Sequence, residues 1–290
     1  MNSSGSLASS RVAIVGLGLM GGALALALRD KCAGLLGVDT DRRTRELARE
    51  RKVVDIVAAD PGEVLPQAEV IILATPVLAI LSILRDLPQL HPGDAVVIDI
   101  GSTKEEITDT MAHLPSRFDP IGAHPMCGKE RSSLAFAEGT LFQGSTFALA
   151  PLARTTQRAR GIATQIVDAI GAEPFWLDPA AHDRWVAATS HLPFLVSNAL
   201  ASSTPLEVAP LVGPGFCSTS RLAPSSIDMF IDIIKTNRGN ITAAVERYQE
   251  RLSALGNAIL EEDYRTLESL LEQGADQYRR LVPGQAKEGD

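Results

Sequence analysis

Residues 11–29 read RVAIVGLGLMGGALALALR, and the turn at their centre decides the architecture. Arg11 to Val15 is a short apolar run of strand type. Gly16, Gly18 and Gly21 follow at GxGxxG spacing, and an alanine- and leucine-rich helix continues to Arg29. Each glycine has its own task in such a turn: the first permits the bend, the second lets a pyrophosphate approach, and the third lets helix pack on strand. Leu19 and Met20 open the helix, whose free N–H groups and positive dipole end suit phosphate oxygens. The motif alone is common. Here a strand precedes it, a helix follows it, and a second strand, Leu35 to Val38, ends in Asp39.

Asp39 falls about 20 residues beyond the turn, where a carboxylate accepts hydrogen bonds from adenosine ribose hydroxyls. Its charge would repel a 2′-phosphate, so NAD is the expected cofactor and NADP the alternative. Arg42 and Arg43 are near enough to bear on that choice, but they also read as the solvated first turn of the next helix.

The strand–helix rhythm continues. Glu69 to Ala74 is a buried strand ended by Thr75-Pro76, and Val77 to Leu87 a helix closed by Pro88. Ala95 to Ile100 leads into GSTK at 101–104, and Phe118 to Ile121 into GAHPMCGKE at 122–130. Loops at the carboxyl ends of parallel strands are where open α/β sheets bind ligands. Thr75, Pro76 and Ser102 are therefore candidate cofactor contacts, although Ser102 and Thr103 also read as N-caps. Pro125 disfavours helix for its predecessor, which puts His124 on an ordered loop leaving its strand. A lone histidine is more often a packing or surface residue than a catalyst; this one shares a rim with the glycine turn and GSTK.

Two further strands, Thr146 to Ala150 and Pro174 to Leu177, flank a helix over 158–170, and then strands cease. Helices are expected at 180–202, 225–236, 240–260 and 262–281. The organisation expected is a disordered tail at 1–10, a dinucleotide domain at 11–178, a helical domain at 179–282 and a disordered tail at 283–290. Within the helical part, Asp183 and SHLPF at 190–194, with His191, are polar groups in apolar surroundings. Arg221 lies in GPGFCSTSRLAPSS (213–226), read as an irregular loop. It pairs with a carboxylate of the protein or of a ligand, or is an ordinary surface arginine.

Composition excludes several classes. The 290 residues are 45% hydrophobic and 21% charged, as in ordinary globular proteins. A net charge of −8 without a lysine-rich run argues against nucleic-acid binding. Cys32, Cys127 and Cys217 are widely spaced and odd in number, which indicates neither a disulfide framework nor a zinc site. The Ser-rich start lacks a signal-peptide core, and no apolar run reaches spanning length. A cytoplasmic protein acting on a small molecule is expected.

VGLGLMGG, DIGSTK, GAHPMCGKE, SHLPF and the Arg221 loop together resemble the prephenate/arogenate (cyclohexadienyl) dehydrogenase family of tyrosine biosynthesis, TyrA type. HPM-G-E followed by SHLP is the specific part, and the resemblance runs from about residue 11 to about 281. It implies a Rossmann-type, doubly wound, mostly parallel sheet followed by an all-α dimerisation domain, and hence a homodimer. It implies oxidative decarboxylation of prephenate or arogenate with NAD, and no metal. Residue by residue, His124 matches the catalytic histidine that meets the C4 hydroxyl. Ser102 matches the serine that hydrogen-bonds it and helps position the nicotinamide. Arg221 matches the arginine that holds a substrate carboxylate, His191 a second substrate histidine, and Glu130 an acid at the pocket entrance. Lys129, Glu130 and Asp183 are candidates for telling a keto side chain from an ammonium one.

The chain departs from the family pattern at Phe194, where many members carry histidine, and at Cys127 and Lys129. Cys127 reads as a packing residue. Lys129 is a solvated lysine, a substrate contact, or a like charge beside His124. Two rivals remain. A β-hydroxyacid dehydrogenase carries a catalytic lysine on the helix after its nucleotide domain, and residues 180–202 contain no lysine. A non-catalytic dinucleotide sensor would bind NAD without turning over a cyclohexadiene.

Overall fold

Parallel strands covered on both faces read as unbroken apolar runs, whereas a strand with one wet face alternates. VAIV, VIIL and AVVID are of the first kind, and all three are buried throughout. The computed structural model describes residues 5–128 and 133–282. Its strands are β1 Arg11–Val15, β2 Gly34–Val38, β3 Ile56–Ala58, β4 Val70–Leu73, β5 Ala95–Asp99, β6 Phe118–Pro125, β7 Thr146–Pro151 and β8 Glu173–Trp176. They form one sheet in the order β3-β2-β1-β4-β5-β6-β7-β8, parallel except where β7 runs against β6. Successive side chains point to opposite faces. Val12, Ile14, Ile72, Val96 and Ile98 accordingly belong to one core, and Ala13, Val15, Ile71, Leu73 and Val97 to the other.

Helices α1 Leu19–Leu28, α2 Arg42–Glu50, α3 Val77–Leu90, α4 Glu105–Ala112 and α5 Gln157–Ala169 connect the strands. They are followed by α6 Pro179–Val186, α7 Leu192–Ser203, α8 Pro214–Ser220, α9 Ile227–Thr236, α10 Arg238–Leu260 and α11 Tyr264–Leu281. The sheet ends at Trp176, beside the expected domain change near Asp178. By its contacts, however, the chain divides later, into Met1–Asn240 and Ile241–Asp290. The first unit holds the sheet and α1 to α9, the second most of α10 and all of α11. No helix among the described residues is long and apolar enough to cross a membrane.

Several expectations need correction. The tail at 1–10 is ordered in its second half. Leu7 is buried in the first core, and its backbone N–H donates to Gln165 Oε1 at 2.9 Å. Strand β3 was missed because it has three residues and Ile56 faces out. Pro88 does not close α3 but sits in its last turn, where Arg117 Nη2 donates to the Pro88 carbonyl at 2.7 Å. The stretch 213–226 contains α8 and is not an irregular loop.

His124 also lies elsewhere than expected. It is in β6, opposite Ala148 of β7, not on a loop beyond the strand. Pairing with β5 stops at Gly122, and the antiparallel β7 alone carries β6 on to Pro125. A proline is tolerated there because it closes the strand.

Candidate active site

The strand order reverses between β1 and β4, and such a switch point opens a crevice at the carboxyl ends of the strands. Val15 pairs with Leu73, Leu73 with Asp99, and Asp99 with Gly122, so these four residues form one row across the sheet. The glycine turn, Thr75, Gly101 and His124 all come just beyond that row. Three strand spacings, about 14 Å, separate β1 from β6.

At the β1 end the backbone is shaped for a dinucleotide. Gly16 adopts φ +94°, and a Cβ there would lie 2.7 Å from the Ala74 carbonyl oxygen. A Cβ on Gly21 would lie 1.9 Å from the Gly16 carbonyl oxygen, so helix and turn pack only with glycine there. Gly18, by contrast, has nothing within 4 Å, which leaves room for a phosphate to approach. Leu19 is buried and Met20 packs against the core, so they offer a ligand their backbone more than their side chains. Asp39 closes the turn: Oδ2 accepts from Leu17 N and Oδ1 from Asp41 N, both at 2.8 Å. Arg42 is paired with Glu46 at 2.8 Å on the exposed face of α2, as a solvated first turn requires. Among the described residues Thr75 Oγ1 is buried without a hydrogen-bond partner. An orphaned hydroxyl at the switch point, beside an open glycine, fits a bound dinucleotide.

At the other end of the row, polar groups are buried together. His124 Nδ1 lies 2.9 Å from His182 Nε2, and His182 Nδ1 lies 2.8 Å from Asp183 Oδ1. Asp183 also receives Lys104 N at 2.7 Å on Oδ1 and Glu105 N at 2.9 Å on Oδ2, capping α4 from another helix. Ser102 and Thr103 are therefore not the caps of that helix; Thr103 instead meets Thr236 at 2.8 Å. Asn237 Nδ2 donates to the Asp183 carbonyl at 2.8 Å and reaches His191 Nδ1 at 3.3 Å. His191 closes a single π-helical turn, Ala187–His191, between α6 and α7. Pro193 has no N–H to continue the α-helical ladder, and the Leu192 N–H bonds to the Ala187 carbonyl instead.

Beneath His124 the Lys104 ammonium is wholly buried, paired with Asp99 and donating to the Ala123 carbonyl at 2.7 Å. Burial pushes the Asp99 carboxyl up and the Lys104 ammonium down, each held back by the other. Burial also holds the His124 pKa well below its usual 6.5, and the repulsion that a protonated His124 would meet from His182, Lys104 and His191 acts the same way. His191 is pushed down to about 4 by burial, against the pull of Asp183. Both rings are therefore neutral at pH 7.

The remaining expected site residues fare differently. Ser102 lies at the end of β5 next to this cluster, but the hydrogen bond shown by His124 goes to His182, not to Ser102. Asp183, a candidate substrate contact, is fully buried and engaged by His182 and α4. Arg221 stands exposed at the end of α8, a helix tied to α7 through Ser197 Oγ and the Thr219 carbonyl. Lys129 and Glu130 lie outside the described residues. Cys127 packs against the first core, and burial raises its pKa, as a packing residue requires. Phe194 is buried and stacks on Phe230 with centroids 3.4 Å apart, while His191 meets Phe230 edge-on at 6.4 Å. His182, Lys104 and Asn237 were missed as site residues. The His-Asp pair at 182–183 was the available signal for the first. A large cleft of about 790 Å³ lies elsewhere, at the amino ends of β2 and β3.

A switch-point crevice shaped for a dinucleotide, with a neutral histidine on the same rim, defines a nicotinamide-dependent oxidoreductase. Residues 24–175 match the family model of the prephenate dehydrogenase nucleotide-binding domain, and residues 178–273 that of its dimerization domain. The chain belongs to the prephenate dehydrogenase family. It is 29% identical to the Bacillus subtilis prephenate dehydrogenase over 284 residues, which is 94% of this chain and 76% of that protein. The prephenate dehydrogenase of Aquifex aeolicus, solved with hydroxyphenyl propionate and NAD+, superposes with a TM-score of 0.87 at 28% identity. That match covers 96% of this chain and all of the other. The Synechocystis arogenate dehydrogenase gives 0.80 at 29% identity, over 94% of this chain and all of the other.

Proposed function

We propose that this chain oxidises prephenate with NAD, releasing CO2 and forming 4-hydroxyphenylpyruvate on the way to tyrosine. The observation that carries this reading is His124, a neutral imidazole held at the end of β6 on the rim where the glycine turn fits a dinucleotide. NAD, when bound, supplies the acceptor for the hydride that leaves C4. The chain supplies orientation and the proton path. His124 takes the C4 hydroxyl proton while that carbon gains carbonyl character. Cleavage of the bond from C1 to its carboxylate then sends its electron pair into the ring. His124 returns the proton to the phenolic oxygen, so no proton is gained or lost overall. A base that is neutral at pH 7 suits both transfers.

We assign Ser102 to the nicotinamide end of the site, and His191, Lys129 and Glu130 to the substrate. Arg221 is assigned to a substrate carboxylate, which a guanidinium grips by paired hydrogen bonds. Arg221→Ala is then expected to raise KM by about tenfold or more with a smaller change in kcat. An unchanged KM would remove Arg221 from the site.

The direction of the His124 shift fixes a pH profile. The base works unprotonated, and a depressed pKa keeps it so as the pH falls through 6.5. The expected kcat/KM is flat from pH 7 down through 6.5 and drops only in more acid solution. An acid limb centred at or above pH 6.5 would contradict a desolvated base.

Residues 11–178 form the dinucleotide domain in this reading, and 179–282 the substrate and dimerisation domain. A homodimer is supported by the matched dimerization domain and by exposed Leu252, Ile259, Leu260, Leu271 and Leu281 on α10 and α11. Free Cys32, Cys127 and Cys217 suit a reducing compartment, and we place the enzyme in the cytoplasm. The likeness to an arogenate dehydrogenase gives a second reading, with arogenate as substrate. Absorbance at the reduced-nicotinamide band, with prephenate or arogenate and NAD or NADP in four pairings, tests both. Turnover is expected with prephenate and NAD. NAD binding without turnover in any pairing would refute catalysis.

A further inference from the structure

We propose that His182 is a positioning residue that sets the tautomer of His124, leaving a lone pair on the nitrogen that faces the substrate. The proposal rests on His124 being the base and names what makes it one. An ionised carboxylate only accepts hydrogen bonds, so the contact at 2.8 Å with Asp183 Oδ1 places a proton on His182 Nδ1. A neutral imidazole protonated there has a bare Nε2. That atom lies 2.9 Å from His124 Nδ1, which must therefore carry the hydrogen. The proton order leaves His124 Nε2 unprotonated. The opposite tautomer of His124 would set two lone pairs against each other across that contact.

Asp183 is fixed well enough to dictate this order. Backbone N–H groups of Lys104 and Glu105 hold its two oxygens, and Asn237 holds its carbonyl. His182 and Asp183 are 1% and 0% exposed, so water does not compete for either contact. Adjacent residues on α6 thus link the start of α4 to the end of β6. The His124 ring makes no other hydrogen bond among the described residues, which leaves His182 as its orienting partner.

The test uses full-length protein labelled with 15N in its five histidine rings, His124 being assigned from the signals lost in His124→Asn. A pyrrole-like Nδ1 and a pyridine-like Nε2 on His124 at pH 7 are expected. His182→Phe keeps the ring volume but removes the acceptor. It should mix the two His124 tautomers and lower kcat by roughly tenfold to a hundredfold, with KM and NAD affinity unchanged. His182→Gln offers a carbonyl oxygen to the same N–H and should return most of the loss. A proton on His124 Nε2 in the parent would overturn the proposal, as would equal losses in the two variants or none in His182→Phe. Should His182→Phe fail to fold, the parent spectrum and the His182→Gln turnover still decide. The nitrogen signals need no turnover, so a parent inert toward prephenate would sink the functional reading and leave the tautomer assignment to be judged by itself.

Discussion

His124→Asn is expected to bind NAD as the parent does and to turn over prephenate at least about a hundredfold more slowly. The two halves of that expectation follow from different ends of the sheet. Cofactor affinity is expected from the glycine turn after β1, from Asp39 after β2 and from Thr75 after β4, which lie three, four and two strands from β6. Asparagine is smaller than histidine and polar, so it fits opposite Ala148 without disturbing the β6–β7 ladder. Its amide can still meet His182 but cannot take up a proton near neutral pH. Proton acceptance is lost while the fold and cofactor cradle stay. Steady-state rates with saturating prephenate, set beside NAD titration of the same preparation, separate the two. Turnover within a few-fold of the parent would remove His124 as the base, and loss of NAD binding would show that the substitution had damaged more than the proton path.

What could be read from the sequence was whatever depended on local chemistry. Short, β-branched apolar runs such as VIIL and AVVID between turn residues read as doubly covered strands, and GLGLMGG between strand and helix leaves few other turns to build. Where long-range partners decided, the reading fell short. Whether β6 stops at Ile121 or runs through His124 depends on β7, which returns antiparallel from more than twenty positions further on. Asp183 read only as a polar group in apolar surroundings because its partners, the N–H groups of Lys104 and Glu105, lie far from it in sequence. Lys104 stood in the sequence only as the last letter of GSTK, and only the folded chain shows it sealed against Asp99. His182 was passed over because a histidine next to an aspartate is an unremarkable dipeptide on a helix. Its meaning comes from the strand it faces. The candidate base could be found by motif, whereas the residues that hold it could be found only by packing.

The buried pair under His124 leads to the second large effect. Lys104→Met is expected to destabilise the protein by roughly 3–5 kcal/mol, because it leaves the Asp99 carboxylate buried without its cation. Both side chains are 0% exposed, so no water replaces the ammonium. Gly101 N at 2.9 Å still donates to Asp99, but an amide hydrogen bond does not neutralise the charge. The size of the loss depends on pH with a definite sign. Burial already raises the Asp99 pKa above its usual 3.8, and removing Lys104 takes away the group that held it down. A folded-state pKa above the unfolded one stabilises at low pH and is lost as the pH rises through the folded value. The variant should therefore be weakest at neutral pH and above, and should recover toward the parent as the pH falls toward 4. Adding Asp99→Leu should recover most of the loss at neutral pH, since an apolar pair of similar volume has no charge to desolvate. Its kcat should nevertheless stay below the parent's, because the Ala123 carbonyl, next to His124, no longer has the Nζ donor. Thermal and denaturant unfolding of the single and double variants across pH measures each part. A single variant as stable as the parent at pH 7, or one that weakens as the pH falls, would mean that the Lys104 charge does not compensate Asp99.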